Sequence, residues 1–211
     1  MTQDLSDYLG THSAPQDTQQ FREASDIIIF GGVRLMQISQ DEGALLSMLV
    51  HISGAKNVVE VGTFLGYSAI CLARALPADG RVLTCDISED WTTLARLRWQ
   101  VAELQDKIDL RIGPALDTIR SLPDTETIDF SFIDADKLNY RAYYEELLPR
   151  TRRGGLIVLD DVLWWHGVLD GENTDPTVKS FRELNDLLAT DTRIESVMLG
   201  VRNGLTICRK L

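Results

Sequence analysis

The chain is poor in several features that mark large classes of protein. Its 211 residues include 3 cysteines, 6 prolines and 3 histidines, and 21 Lys and Arg stand against 32 Asp and Glu, for a formal net charge of −11. No cluster of basic residues offsets this charge, so a nucleic-acid backbone or an anionic membrane surface would repel the protein. The longest apolar stretch near the start, 27–30, is far shorter than the ~20 residues of a membrane helix. We therefore predict neither a nucleic-acid partner nor a membrane span.

The N-terminus and the cysteines indicate the compartment. The first ten residues, MTQDLSDYLG, are acidic and polar and lack the order of a signal peptide, a charged region followed by an apolar one. Cys71, Cys85 and Cys208 are odd in number, far apart and set among apolar neighbours, which fits buried reduced thiols better than disulfides or a zinc site. We expect a cytoplasmic protein without disulfides.

Hydrophobic residues make up 44% of the chain and charged residues 25%, as in ordinary globular proteins, and the length favours one domain over residues 1–211. Short β-branched stretches alternate with helical patterns along it. Predicted strands cover 57–61, 81–85, 108–112, 128–133 and 156–159, and helices follow at 67–76, 88–105, from 114, 140–148 and from 178. A capping box at Ser39 and Glu42 starts an earlier helix that ends at Gly54.

The end of the chain follows a different pattern. Residues 194–201 and 205–208 flank Asn203-Gly204, a dipeptide typical of tight hairpin turns. The whole pattern predicts an α/β fold, a Rossmann-like doubly wound sheet that is mostly parallel and has a C-terminal antiparallel hairpin. Plain dinucleotide-binding folds normally end in further parallel strands, so this ending points toward methyltransferases.

Residues just after the first two strands are candidates for a nucleoside site, because ligands of such sheets bind beyond the carboxyl ends of the strands. Gly62 and Gly66 permit a sharp turn and a close backbone approach, although an ordinary strand-to-helix turn would use the same glycines. Glu60 inside the strand end would repel a pyrophosphate and suits a cationic ligand, which disfavours NAD. Asp86 is placed to accept hydrogen bonds from ribose hydroxyls, whereas alone it would be only a helix-start charge.

Carboxylates also follow the fourth and fifth strands, at Asp134, Asp136, Asp160 and Asp161. Like charges that converge raise one another's pKa or require a cation, and carboxylates without His or Cys select magnesium, manganese or calcium. The alternative is that these acids cap the following helices, which would account for Asp136 by itself. Lys137 lies at the start of a helix, where the helix dipole disfavours a cation. It is either a general base with a lowered pKa or a solvated partner of Asp136.

Trp164 and Trp165 lie in the polar loop LWWHGVLDGENTDP. We assign one tryptophan to the core and one to the wall of a site for a planar substrate, and His166 to the loop alone.

Read in order, these segments resemble the cation-dependent O-methyltransferases, the family of caffeoyl-CoA and catechol O-methyltransferases. The resemblance runs from about residue 29 to 211 and is carried by SQDEG (39–43), VVEVGTFLGYSA (58–69), GRVLTCDIS (80–88), KIDLRIGPA (107–115), IDFSFIDADKLNY (128–140), GGLIVLDDVLW (154–164) and NGLTICRK (203–210). It implies S-adenosylmethionine as the methyl donor, S-adenosylhomocysteine as the product, and a homodimer. It also implies an N-terminal segment, 1–38, for substrate or dimer contacts and a catalytic core over 39–211.

The same resemblance assigns roles by position. Around the donor it places Ile38, Glu60, Gly62, Thr63, Ser68, Asp86, Ile87, Ala115, Asp134 and Asp136. It gives the divalent cation, Mg²⁺ first and Mn²⁺ or Ca²⁺ next, to Asp134, Asp160 and Asp161. Lys137 and Asp134 are the catalytic candidates, and Trp164 and Trp165 the substrate contacts.

This chain departs from the family pattern at three places. Asp161 stands where Asn is commoner, Trp165 stands where the plant enzymes have Asn, and the N-terminus lacks a match to their basic segment. The Asp at 161 adds negative charge and leaves the preference among cations open. The missing basic segment favours a free catechol-like phenol over caffeoyl-CoA as substrate. The alternatives are a metal-independent methyltransferase of another small nucleophile, a non-catalytic nucleoside-binding protein and, third, a nicotinamide dehydrogenase.

Overall fold

The computed structural model describes residues 8–9, 12–13 and 36–211. From residue 36 onward it contains six α-helices and a seven-stranded sheet. The helices are α1 (Gln40–Ser53), α2 (Tyr67–Ala75), α3 (Glu89–Val101), α4 (Ala115–Ser121), α5 (Tyr140–Arg150) and α6 (Pro176–Thr190). The strands are β1 (Asn57–Val61), β2 (Arg81–Asp86), β3 (Ile108–Ile112), β4 (Ile128–Ile133), β5 (Thr151–Leu159), β6 (Ile194–Leu199) and β7 (Leu205–Lys210). Most of the predicted N-terminal segment 1–38 lies outside the described residues.

The sheet has the strand order β3-β2-β1-β4-β5-β7-β6. The first five strands in this order are parallel, and β7 is antiparallel to both β5 and β6. The predicted doubly wound, mostly parallel sheet with an antiparallel end is therefore confirmed. Because β7 inserts between β5 and β6, the C-terminal strand is covered on both edges.

A β-turn does include the predicted Asn203-Gly204, with Gly204 N donating to Val201 O at 2.7 Å. The predicted two-residue hairpin connection is nevertheless wrong. Strand β6 ends at Leu199, which pairs with Leu205, so five residues connect the two strands rather than two. This connection packs on the segment after β5, where a side chain at Gly204 would overlap Leu163. A tertiary contact, rather than hairpin geometry, sets the position of these residues.

The sequence explains the main elements locally. At α1 the Ser39 hydroxyl accepts from the Glu42 backbone amide, and the Glu42 carboxylate accepts from the Ser39 amide at 2.7 Å, which completes the predicted capping box. Gly54 ends this helix in a left-handed conformation.

Alternate residues of the central strands face opposite sides of the sheet. On β1, Val58 belongs to a core that includes Leu46 of α1 and Trp99 of α3, whereas Val59 belongs to a second core with Tyr144 of α5 and Phe181 of α6. Helices therefore cover both faces, which accounts for the nearly continuous apolar sequence of the parallel strands.

Backbone hydrogen bonds hold the loops at the carboxyl edge side by side. Gly62 N donates to Cys85 O, Asp134 N to Val61 O and Asp160 N to Ile133 O, at 2.8–3.0 Å. The residues that follow β1, β2, β4 and β5 are thereby brought to one place.

Two further predictions concern the chain as a whole. The three cysteines are free and buried, as predicted. Among the described residues, we find no helix with the length and apolarity needed to cross a bilayer.

Candidate active site

A cavity of about 790 Å³ opens at the carboxyl edge of the sheet. It is lined by residues from both predicted halves of the site: Ile38, Gly62, Thr63, Ser68, Asp86, Ile87, Ala115, Asp134, Asp136, Lys137, Asp161, Trp164 and Trp165. Glu60 and Asp160 lie behind this lining, 0% and 5% exposed. The structure thus brings the residues predicted from separate motifs to one cavity or its immediate wall.

The turn after β1 explains why glycine is required there. Gly62 has φ +100°, and a Cβ at this position would overlap the backbone carbonyl of Asp134. Gly66 has φ +76°, and a Cβ would meet the indole of Trp99. The first glycine therefore allows close contact between the nucleoside half and the carboxylate half of the cavity.

Glu60 lies in a buried chain of hydroxyl groups. Its Oε2 accepts from Thr84 Oγ1 at 2.5 Å, and Thr84 Oγ1 lies 2.6 Å from Oγ1 of Thr63, which reaches the cavity. Burial raises the pKa of Glu60 to about 8. Its Oε1 has no hydrogen-bond partner among the described residues.

Asp86 connects the loop after β1 to the start of α3. Its Oδ2 accepts from the backbone amides of Thr63 and Phe64 at 3.0 and 2.8 Å, and its Oδ1 accepts from Ser88 N at 2.8 Å. The carboxylate therefore orders the predicted nucleoside pocket, and as a lining group it is also placed to accept from a ligand.

Three carboxylates converge where β4 and β5 end. Ligand oxygens of Asp134, Asp160 and Asp161 lie within 4.8 Å of one another. Asp160 is buried, and its Oδ1 accepts from Asp161 N at 2.7 Å. Asp161 has the left-handed φ of +61°, a conformation that is uncommon for residues with a side chain and that Asp adopts more readily than most.

The electrostatics of this cluster favour a bound cation. Burial raises the pKa of Asp134, and burial together with the charges of Glu42 and Asp134 raises that of Asp160 well above its usual value. Burial also raises the pKa of Glu42 to about 7, with Arg202 Nε at 3.4 Å from its carboxylate. Carboxylate oxygens that repel one another in a buried place are the donor set of a hard divalent cation, so these residues fit such an ion.

Lys137 is the cation that the protein itself supplies to this cluster. Its Nζ lies 2.7 Å from Asp134 Oδ1 and 2.8 Å from Asp161 Oδ2, and donates to Tyr140 Oη at 2.9 Å. Burial alone would lower the pKa of Lys137, but the charges around it outweigh burial and raise the pKa. The predicted lowering of the Lys137 pKa is therefore wrong. The ammonium group contacts Asp134 and Asp161, and the sequence pattern did not predict these contacts.

Asp136 lies in a different setting from the three converging carboxylates. Asp136 accepts hydrogen bonds from Asn139 Nδ2 and from the hydroxyl of Tyr143, both at 2.5 Å. It therefore faces its own helix start, and the predicted alternative of a partnership with Lys137 is absent from its hydrogen bonds.

The two tryptophans differ in burial. Trp164 is half-buried and packs against Phe181, with ring centroids 5.9 Å apart, while Trp165 is 58% exposed. Both line the cavity. His166 is an exposed loop residue with φ +64°.

Sequence reasoning missed several lining residues. Phe64 and Trp91 form an aromatic pair with centroids 5.2 Å apart, and Tyr143 and Asn203 also line the cavity. Trp91 comes five residues after Asp86 in the first turns of α3, a position that could have indicated the pocket. Asn203 gave no such signal, because its sequence context is that of a turn.

Comparison with known proteins agrees with this geometry. Residues 12–211 match the family model described as O-methyltransferase. The chain is 38% identical to caffeoyl-CoA O-methyltransferase 1 of Eucalyptus globulus over 213 residues, 96% of this chain and 86% of the relative. It is 38% identical over 191 residues to catechol O-methyltransferase domain-containing protein 1 of Mus musculus, which covers 85% of this chain and 73% of that one.

A solved structure extends the match to the fold. The O-methyltransferase from Bacillus cereus in complex with SAH superposes with a TM-score of 0.84 at 32% identity, over 98% of this chain and 97% of that chain. The chain therefore belongs to the O-methyltransferase family and is an S-adenosylmethionine-dependent O-methyltransferase.

Proposed function

We propose that the enzyme methylates a hydroxyl group of a small catechol-like phenol with the help of a divalent cation on Asp134, Asp160 and Asp161. The observation that carries this proposal is the convergence of these three carboxylates beside Lys137, in the cavity that also contains the predicted nucleoside residues. If these acids were only helix caps, there would be no reason for all three to converge beside Lys137 in this cavity.

The wall of the cavity between β1 and α3 suits the methyl donor. When bound, S-adenosylmethionine supplies the sulfonium methyl group and leaves as S-adenosylhomocysteine. Asp86 offers carboxylate oxygens at the tip of β2, and Glu60, reached through Thr63 and Thr84, offers a buried acceptor for the amino-acid part. Ile38, Ile87 and Ala115 provide apolar lining. The remaining predicted contacts, Gly62, Ser68, Asp134 and Asp136, complete this half of the site.

The cation would be held by oxygen ligands alone, which favours Mg²⁺, with Mn²⁺ or Ca²⁺ as alternatives. When bound, the cation supplies Lewis acidity that lowers the pKa of a coordinated hydroxyl group. Lys137 lies next to the same carboxylates, with its Nζ donating to Tyr140 Oη. A divalent cation on these carboxylates would oppose the ammonium charge and favour the neutral amine, and in that form Lys137 is the proposed acceptor of the hydroxyl proton.

The tryptophans favour a planar aromatic substrate. Trp164 is fixed against Phe181, and Trp165 presents an exposed ring at the cavity. Such a wall orients an aromatic ring and excludes water from the reacting oxygen. We propose a free phenol as substrate, with the CoA ester named for the plant relatives as the second candidate. A homodimer stays a prediction from the family.

The test is methyl transfer from S-adenosylmethionine to catechol, caffeic acid, a flavonoid and caffeoyl-CoA, with Mg²⁺ and again with excess EDTA. We expect turnover of the free catechols that disappears with EDTA and returns with Mg²⁺. Asp134→Ala should abolish this turnover, while Asp124→Ala, a change at a side chain that is 85% exposed, should retain it. Turnover that is indifferent to EDTA would instead indicate a metal-independent methyltransferase. Binding of S-adenosylhomocysteine without any turnover would leave a non-catalytic nucleoside-binding protein.

A further inference from the structure

We propose that Asn203 sets the cation preference of the site by restricting Asp161 to one ligand oxygen. This inference rests on the proposed function, because it takes Asp134, Asp160 and Asp161 as the ligands of a divalent cation. Asn203 lies in the connection between β6 and β7, 42 residues further along the chain than Asp161. It would act as a positioning residue, through the carboxylate that it contacts.

The contact selects between the two oxygens of Asp161. Asn203 Nδ2 donates a hydrogen bond to Asp161 Oδ1 at 3.0 Å. The other oxygen, Oδ2, faces the Lys137 ammonium, which also contacts Asp134 Oδ1. An amide NH₂ group is a donor only and does not ligate cations, so its hydrogen bond competes with a cation for Oδ1. Oδ2, which the Lys137 ammonium joins to Asp134 Oδ1, is left as the ligand oxygen.

The backbone of this connection is attached to the ligand segment independently of the Asn203 side chain. Asn203 O accepts from Leu163 N at 2.6 Å, and Gly204 O accepts from Val162 N at 3.1 Å. Truncation of the side chain therefore removes one hydrogen bond to the carboxylate and leaves the docking of the two segments intact.

Asp160 is restricted in a similar way. Its Oδ1 accepts from the backbone amide of Asp161 at 2.7 Å. Asp160 and Asp161 thus each have one oxygen engaged by an uncharged N–H donor, while the Lys137 ammonium contacts Asp134 Oδ1 and Asp161 Oδ2. Ca²⁺ takes six to eight oxygen ligands and often binds carboxylates through both oxygens, whereas Mg²⁺ takes single oxygens in an octahedron completed by water. The arrangement favours Mg²⁺, and Asn203 is the side chain through which the preference can be changed.

The experiment is calorimetric titration of the chelator-treated full-length protein with MgCl₂ and, separately, with CaCl₂. We expect the wild type to bind Mg²⁺ more tightly than Ca²⁺. Loss of a hydrogen bond that orients a metal ligand typically changes affinity by about tenfold or more, so Asn203→Ala should lower the ratio of Mg²⁺ to Ca²⁺ affinity by about tenfold. Asn203→Leu keeps more of the side-chain volume without the donor and should give the same shift.

Asn185→Ala is the matched control. The Asn185 Nδ2 group donates to Val162 O at 2.9 Å, so it holds the same segment through a backbone carbonyl and touches neither oxygen of Asp161. Its loss should leave the affinity ratio unchanged. An equal change in the ratio for Asn185→Ala and Asn203→Ala would mean that general loosening is responsible, which overturns the inference.

The outcomes separate this inference from the proposed function. If the wild type prefers Mg²⁺ and both Asn203 variants keep the wild-type ratio, the role of Asn203 is refuted and the cation site stands. If the wild type binds neither Mg²⁺ nor Ca²⁺, the proposed cation dependence fails, and the role of Asn203 fails with it.

Discussion

At the scale of single residues, Gly62 controls the distance between the two halves of the active site. Its amide donates to Cys85 O, and its Cα faces the backbone of Asp134, the residue proposed to hold both cation and donor. No side chain fits between these two loops. Direct methyl transfer requires the methyl donor and the cation to lie close together. The lack of a Cβ at Gly62 is what allows this closeness.

Gly62→Ala is therefore expected to destabilise the protein severely. The substitution combines a φ of +100° with an overlap against backbone that cannot swing away, and strained positions of this kind cost at least about 1–3 kcal/mol. Urea unfolding measures the loss. Gly171→Ala, at a position with no atom within 4 Å and no positive φ, should differ from wild type by less than about 0.5 kcal/mol. Equal stabilities for the two variants would contradict the argument.

The sequence allowed us to predict which residues at the strand ends carry the chemistry of the site. It did not allow us to predict which side chains contact them. Asp134, Asp160 and Asp161 could be grouped because parallel strands end at one edge of a sheet. The raised pKa of Lys137 depends on which carboxylates its flexible side chain reaches. The contact of Asn203 with Asp161 joins residues 42 positions apart, across a connection that resembles an ordinary turn in sequence.

At the scale of elements, periodicity and caps predicted nearly every strand and helix, but not the order of the last two strands. The insertion of β7 between β5 and β6 is decided by pairing over a long separation, such as Leu159 with Thr206. A sequence pattern indicates that two strands pair, while only packing decides which of them borders the parallel sheet. That choice matters for function, because it places the connection carrying Asn203 over the loop after β5.

The junction of α6 and β6 carries a prediction about pH and stability. Asp191, at the end of α6, accepts from Tyr144 Oη at 2.8 Å and pairs with Arg193 at 2.6 Å, with its own side chain 5% exposed. The hydrogen bond from Arg193 is the largest cause that lowers the pKa of Asp191 from 3.8 to about 2. A lowered folded-state pKa contributes stability that is present above the unfolded-state pKa and is lost as the pH falls through the folded-state value.

Asp191→Asn should accordingly cost about 2 kcal/mol at pH 7, and the difference from wild type should shrink as the pH falls from about 4 toward 2. Urea unfolding of both proteins at pH 7, 4 and 3 provides the measurement. Asp186→Asn, which changes an exposed acid on the same helix, should stay close to wild type at each pH. A gap for Asp191→Asn that stays constant with pH would show that the ion pair is not its source.

At the scale of the whole molecule, the fold places a cation-binding cluster inside an already acidic protein. The formal net charge is −11, and the buried acids of the site are added to a surface of the same sign. Such a field attracts cations and repels polyanions, which agrees with a divalent cation and a sulfonium donor as ligands. It also disfavours a dinucleotide, whose pyrophosphate carries negative charge.

Ligand-induced stabilisation distinguishes these two kinds of ligand on the intact protein. A ligand that binds only the folded state at 100 times its Kd stabilises it by about 2.7 kcal/mol, which for a chain of this size corresponds to a rise in Tm of roughly 5–10 °C. We expect S-adenosylhomocysteine to raise the Tm in this way. NADH at the same concentration should leave it unchanged, because Asp86, Asp136 and Asp161 line the cavity that its pyrophosphate would have to enter. A rise with NADH equal to that with S-adenosylhomocysteine would show that the cavity binds nucleosides without regard to charge, and the electrostatic argument for the methyl donor would then fail.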